Sequence, residues 1–185
     1  GGNPSRMVLG FMLATAFISM WISNTATAVM MTPVAIAVCS GSWVEQEKSN
    51  HNFRKALMLG VAYACSIGGM ATIVGTPTNA IFLGYVQNEL HTDVSFWKWF
   101  VFAFPFSLTL LLVCWALLVR LFPPENNTHG TDYKQILKAE VAALGALSAP
   151  ERRLLWLFGT VIFAWLSGSL LWYKWVPNSN DTVVA

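Results

Sequence analysis

The chain has 185 residues, of which 55% are hydrophobic, 14% aromatic and only 11% charged. Soluble domains carry about 25% charged residues, so this is the composition of a membrane protein. The formal net charge of +2 is scattered over connecting segments, which argues against a nucleic-acid surface or an anionic-lipid patch.

Charges leave four stretches clear, Met7 to Val44, Ala56 to Asn88, Trp99 to Val119 and Leu154 to Tyr173, and these carry an all-α integral membrane fold. Gly1 stands where a start Met would be, with no n-region and cleavage site before the first apolar run, so the sequence reads as a fragment of a longer chain. Asn3-Pro4-Ser5 begins a helix, and Met7 to Ile22 then supplies 16 residues, about 24 Å of helix. A polar island follows, Ser23-Asn24-Thr25-Ala26-Thr27. Ala26 to Cys39 forms a second arm, bent at Pro33 and ended by Ser40-Gly41-Ser42.

A bilayer core about 30 Å thick needs about 20 apolar residues in one helix, so 38 consecutive uncharged residues are too many for one straight span. Two readings remain: two short complete spans whose turn reaches the far surface, or a re-entrant hairpin whose tip stops within the membrane. Surface turns usually carry Lys, Arg or a run of turn formers, and no charge lies between Arg6 and Glu45, which favours the re-entrant form. Broken backbone at membrane depth is tolerated only against protein or a water-filled cavity, and in transporters such breaks bind solutes and coupling ions.

Residues 42–55 form a polar connection containing Glu45, Glu47, Lys48, Arg54 and Lys55. The second clear stretch is interrupted in its turn. Helical Ala56 to Ile73 meets Gly75-Thr76-Pro77-Thr78-Asn79, where Pro77 removes a backbone donor and disfavours helix at Thr76, and the helix resumes through Gly84 and Tyr85. This is either a Pro kink whose freed carbonyls bond neighbouring Thr hydroxyls or a broken helix that partners the first break. Ser66-Ile67-Gly68-Gly69 lacks the Gly-Lys-Ser/Thr of a phosphate loop and reads as close helix packing through small residues.

Trp97 to Phe122 is a plain span, opened by the Trp97-Lys98-Trp99 anchor and closed by Arg120 and Pro123-Pro124. Between Glu125 and Pro150, the residues Tyr133, Ile136, Leu137, Val141, Leu144 and Leu147 recur at helical spacing, the pattern of a helix lying on the membrane surface. Ser148-Ala149-Pro150-Glu151 has capping-box spacing and starts the last span, Leu154 to Tyr173. Mixed charges in the connections leave orientation unresolved. Cys39, Cys65 and Cys114 lie inside apolar runs and read as buried free thiols.

With no Asp, Glu, Lys, Arg or His inside a clear stretch, any site there must use hydroxyls, amides and backbone partial charges. The amides that begin the second arm, near Thr25 to Thr27, suit an anion, and the carbonyls that end the first, near Ser19 to Ile22, suit a cation. Ser19 stands four residues before Ser23 on the same helical face, so its oxygens can join those of Ser23 and Asn24 around a hard cation such as Na⁺. Gly75, free of a side chain, can bring one more carbonyl close. Ser23, Asn24 and Thr25 then remain to hydrogen-bond carboxylate oxygens, although each taken singly is also an ordinary helix cap. His51, His91 and His129 show neither HxxxH nor HExxH spacing, and no carboxylates pair inside a span, so there is no catalytic set and the chain does not read as an enzyme.

The run Met20-Trp21-Ile22-Ser23-Asn24-Thr25-Ala26-Thr27-Ala28, followed by Met30-Met31-Thr32-Pro33-Val34 and by Ser66-Ile67-Gly68-Gly69-Met70-Ala71-Thr72-Ile73-Val74-Gly75-Thr76-Pro77-Thr78-Asn79, resembles the divalent anion:sodium symporter family of dicarboxylate and citrate carriers. The resemblance is strong over residues 1–125 and loose beyond. It implies an inverted-repeat, elevator-type transporter, usually a homodimer, in which two re-entrant hairpins each present a Ser-Asn-Thr tip to one substrate carboxylate with a sodium ion beside it. It implies a first sodium site on Ser19, Ser23, Asn24 and Gly75, and half of the substrate site on Ser23, Asn24 and Thr25, with Thr76 and Pro77 nearby.

The implied organisation is a re-entrant hairpin over 1–41, a broken transmembrane helix and following span over 54–122 in the transport part, an amphipathic surface linker over 123–150, and a scaffold helix over 151–176. Two departures stand out. A second Ser-Asn-Thr motif is absent, so this portion alone completes no site, and Thr78 stands where many members have a second Pro. The expected function is sodium-coupled symport of a C4-dicarboxylate such as succinate, malate or fumarate across a plasma (bacterial inner) membrane. Carriage of citrate, sulfate or another anion, or sodium-independent dicarboxylate exchange, is the alternative, and a non-transporting membrane scaffold is a reading from another class. Expected partners are a small dicarboxylate anion, the coupling ion Na⁺, membrane lipid and a second copy of the full-length chain, with no nucleic acid.

Overall fold

The computed structural model describes residues 4–40, 51–92, 94–123 and 148–167, and every regular element among them is an α-helix. In chain order these are α1 (Pro4–Ser19), α2 (Asn24–Ser40), α3 (His51–Gly69), α4 (Pro77–Leu90), α5 (Phe96–Leu121) and α6 (Ala149–Ser167). The central helix is α3, which packs on α1, α2 and α5, while α6 lies against α5.

Small residues explain why α3 takes that place. Ala56, Gly60, Ala64 and Gly68 recur at every fourth position and all are buried, which lets neighbouring backbones approach where lipid offers no hydrophobic drive for association. A Cβ at Gly60 would lie 3.1 Å from Met12 Cγ, and one at Gly68 only 2.3 Å from the Ala16 carbonyl oxygen. The backbone of α1 therefore rests directly on α3, as the small residues of Ser66 to Gly69 suggest.

With 26 residues, α5 is about 39 Å long, and among the described residues it is the helix long and apolar enough to cross a membrane by itself. Its bounds agree within one residue with the expected span. Trp115 Nε1 of α5 donates to Ser5 O at 2.9 Å, and Ser107 Oγ donates to Ile67 O at 2.6 Å, which ties α5 to α1 and α3. By contrast, α1 and α2 have 16 and 17 residues, about 24 to 26 Å.

Several boundaries differ from expectation, among them the start of α3 at His51, inside the 42–55 stretch read as a polar connection. The first arm ends at Ser19, not Ile22, and the second begins at Asn24, so the turn is Met20 to Ser23 and most of the polar island lies in the first turn of α2. Ser23 is the reason: its carbonyl accepts from Thr27 N at 3.0 Å and its Oγ accepts from Ala26 N at 3.4 Å, the bonding of an N-cap. The second arm runs on unbroken through Pro33. Helix α3 stops at Gly69, four residues before Ile73, and the break occupies 70–76, upstream of Pro77. Pro77 opens α4 instead of breaking a helix, because a first-turn position leaves its missing N–H harmless. That helix continues past Tyr85 to Leu90, where His91 takes a left-handed cap conformation with φ 48°.

The capping box at α6 forms as read: Ser148 N donates to Glu151 Oε2 at 2.8 Å, and Glu151 N donates to Ser148 Oγ at 3.4 Å. The expected surface helix around Tyr133 to Leu147, the connection around Glu45 to Lys48, and the part of the last span beyond Ser167 lie outside the described residues.

Candidate functional site

Four helix ends meet at the two breaks. The C-termini of α1 and α3 bring carbonyls, the N-termini of α2 and α4 bring amides, and hydrogen bonds join all four. Ser19, fully buried on the last turn of α1, has its Oγ 2.8 Å from Asn24 Oδ1 on α2 and 2.7 Å from Cys65 O on α3. A hydroxyl has one proton, so Ser19 Oγ donates to one of these oxygens at a time. Such a cluster of oxygens suits a hard cation, which takes oxygen ligands.

The first two N–H groups of α2, on Asn24 and Thr25, have no in-helix acceptor and form the positive end of the helix dipole. Ser23 and Thr25 are exposed there, and Asn24 is half-buried. No carboxylate, ammonium or imidazole belongs to this set of residues. Its electrostatics come from oriented peptide groups, with partial negative charge at the ends of α1 and α3 and partial positive charge at the starts of α2 and α4.

The loop at 70–76 is held against the hairpin by residues to which spacing alone assigns no role. Thr72, fully buried, donates its Oγ1 to Met20 O and accepts Gly75 N at 3.1 Å. Asn79 Nδ2 donates to Gly69 O at 3.0 Å and to Thr72 O at 2.7 Å, and Trp99 Nε1 donates to Met70 O at 3.2 Å. With Ser107 on Ile67 O and Ala71 N on Gly68 O at 3.0 Å, the carbonyls that end α3 are supplied by α4, α5 and the loop itself, as buried polar groups require.

Glycines set the spacing. A Cβ at Gly69 would lie 2.2 Å from Asn24 Oδ1, and one at Gly75 would lie 2.5 Å from Gly69 O. Asn24, Gly69 and Gly75 are thus stacked in contact, and no residue with a side chain fits at either glycine without movement.

Of the residues expected to hold a cation, Ser19 and Asn24 are joined directly and Gly75 reaches Asn24 through Gly69, whereas the Ser23 hydroxyl caps its own helix. Of those expected beside a solute, Thr76 is the N-cap of α4 with no side-chain cap bond, and Pro77 is exposed one residue later. Thr72, Asn79, Gly69 and the Cys65 carbonyl were missed. Asn79 could have been found from its place in the first turn after Pro77, where an Asn side chain readily bonds backbone groups. A backbone carbonyl such as that of Cys65 leaves no mark in sequence.

Further along the same helices, Thr15 on α1 and Thr27 on α2 are fully buried with hydroxyls that find no hydrogen-bond partner among the described residues.

A family model described as "Sodium:sulfate symporter transmembrane region" matches residues 1–185. The mouse protein named "Na(+)/citrate cotransporter" is 33% identical over an alignment that covers 90% of this chain and 38% of that protein. A Staphylococcus aureus protein (strain USA300) named "Sodium-dependent dicarboxylate transporter SdcS" is 29% identical over 97% of this chain and 36% of its own length. The chain therefore spans less than two fifths of the length of either relative.

Proposed function

This chain belongs to the sodium:sulfate symporter transmembrane-region family, which makes it part of an integral membrane protein, and we propose that it forms the first half of a sodium-coupled carrier for a C4-dicarboxylate such as succinate, malate or fumarate. The observation that carries this reading is the cluster of Ser19 Oγ, Asn24 Oδ1 and Cys65 O, with distances of 2.8 and 2.7 Å from the single hydroxyl. In this reading Na⁺ is held by Ser19, Ser23, Asn24 and Gly75, and one carboxylate of the solute meets Ser23, Asn24 and Thr25, with Thr76 and Pro77 beside it. The two charges occupy opposite helix ends: the cation the carbonyl ends of α1 and α3, the anion the amide end of α2.

The hairpin is re-entrant and the Met20 to Ser23 turn lies within the membrane, where α1 and α2 at about 24 to 26 Å fall short of the core thickness of about 30 Å. Sodium orders the tip and offsets the charge of the arriving dianion, so each ligand raises the affinity for the other. A second, inverted repeat outside this chain supplies the other hairpin, in a homodimeric elevator-type carrier of the plasma membrane whose transport part includes 54–122 and whose scaffold includes 151–176.

The test is uptake of labelled succinate by the full-length protein, with and without sodium. Asn24→Ala removes an oxygen from both ligand shells and is expected to lower sodium-dependent uptake by about tenfold or more, a loss of ~1.4 kcal/mol. Unchanged sodium-dependent uptake would count decisively against the site. Citrate is a second reading, favoured by the likeness to the mouse Na(+)/citrate cotransporter; competition of citrate against labelled succinate separates the two.

A further inference from the structure

We infer that Thr72 is a positioning residue for the coupling ion: its hydroxyl locks the 70–76 break onto the end of α1, so that the two halves of the sodium shell are held at a fixed separation. The inference rests on the reading of Ser19, Asn24 and Gly75 as that shell.

One hydroxyl joins its own loop to a backbone 52 residues away: Thr72 Oγ1 donates to Met20 O and accepts Gly75 N at 3.1 Å, and Thr72 is 0% exposed. Met20 directly follows Ser19, and Gly75 carries the carbonyl assigned to the ion. The bond from Gly75 N fixes the peptide plane that leads into Gly75, and the bond to Met20 O fixes the residue after Ser19. Asn79 completes the lock from the other side by donating to Thr72 O at 2.7 Å and Gly69 O at 3.0 Å, and Gly69 is the surface against which Asn24 rests. A hydroxyl can donate once and accept, so Thr72 uses its bonding capacity on this junction alone. Valine has the same shape and can do neither. Met20 O and Gly75 N–H would then be left apart, and the ion would have to gather its ligands on binding, which lowers affinity without touching the steps that follow saturation.

The experiment measures sodium dependence of succinate uptake by the full-length protein as wild type, Thr72→Val and Thr72→Ser. Thr72→Val is expected to raise the half-saturating sodium concentration by about tenfold or more, ~1.4 kcal/mol, with maximal uptake per molecule at saturating sodium retained. Thr72→Ser, which keeps the hydroxyl, is expected to follow the wild-type curve. An unshifted curve for Thr72→Val overturns the inference, as does an equal shift for both variants, which would show that keeping the hydroxyl does not preserve the sodium curve. If Thr72→Val does not reach the membrane, Thr72→Cys replaces it; as a weak donor it should give a smaller shift in the same direction, and a wild-type curve from it overturns the inference. A wild type that takes up succinate without sodium overturns the parent reading and this one together, whereas a sodium-dependent wild type with an indifferent Thr72 overturns this one alone.

Discussion

Gly68 and Gly69 are neighbours with different tasks, because different atoms face them. A Cβ at Gly68 would meet the backbone of Ala16, with its carbonyl oxygen at 2.3 Å and Cα at 2.5 Å, and backbone cannot swing aside. Gly68→Ala should therefore separate α1 from α3 and cost ~1–3 kcal/mol of stability, the usual penalty of overpacking, read as a lower melting temperature of the purified full-length protein. A Cβ at Gly69 would meet Asn24 Oδ1 at 2.2 Å, the end of a side chain that can rotate away. Gly69→Ala should melt much closer to wild type but weaken sodium, since the displaced amide leaves Ser19. As a control, a Cβ at Gly84 on α4 would meet no atom of the described residues within 4 Å, and alanine there should be neutral or stabilising by up to ~1 kcal/mol. Ser19 and Asn24 do meet, but not by the helical step from Ser19 to Ser23 that the spacing suggested: α1 ends at Ser19, Ser23 caps α2, and the turn between them brings Asn24 to Ser19. Thr72 was not legible. Its partners are the Met20 carbonyl and its own loop, and a contact across 52 residues has no local signature.

At the level of elements, the sequence told where helices break better than which residues make the turn. Charge-free length showed that one helix could not hold Met7 to Val44, but the polar island proved to be mostly the first turn of α2, because Ser23 caps that helix and pulls Asn24 to Thr27 into it. At the second break Pro77 drew attention as the obvious breaker, yet it starts α4, and α3 ends at Gly69, whose carbonyl is taken by Asn79. The start of α6 was read correctly, since a capping box is local. Hydrogen bonds from the backbone and side chain of Ser148 hold the Glu151 carboxyl below its ordinary value. A carboxyl with a depressed folded pKa adds stability above its unfolded pKa and loses it as pH falls through the folded value. Carboxyl NMR of Glu151 in the solubilised protein should give a titration midpoint below that of a free glutamate, and Ser148→Ala should return it towards the ordinary range, with fraying of the first turn of α6 beginning at higher pH.

Across the whole molecule, α3 organises the site by where it stops. Its terminal carbonyls are bonded by Asn79 of α4 and Ser107 of α5, and Cys65 O, one turn earlier, by Ser19 of α1, so several helices must be in place before the junction is complete. Aromatic contacts brace the hairpin turn from outside: Trp21 stacks on Phe96 at 6.4 Å and meets Phe158 of α6 edge-on at 6.3 Å. The turn is therefore anchored on its apolar side by Trp21, while Ser23 and Thr25 remain exposed, as the proposed half-site requires. This makes a sharp prediction about water. In the full-length protein with Cys114 and every accessible cysteine outside this chain replaced by Ala, and with the buried Cys39 and Cys65 kept, a membrane-impermeant thiol reagent should modify Thr25→Cys. Thr27→Cys, two residues on but fully buried, should stay unmodified. Sodium and succinate together, well above their dissociation constants, should slow the Thr25→Cys reaction by about tenfold or more, and sodium alone by less, because in the proposed site the ion is held behind the tip on Ser19 while the anion covers its face. Equal labelling of the two positions, or labelling of Thr25→Cys indifferent to both ligands, would mean that the start of α2 is an ordinary lipid- or protein-packed helix end, and the ligand geometry drawn from it would fall.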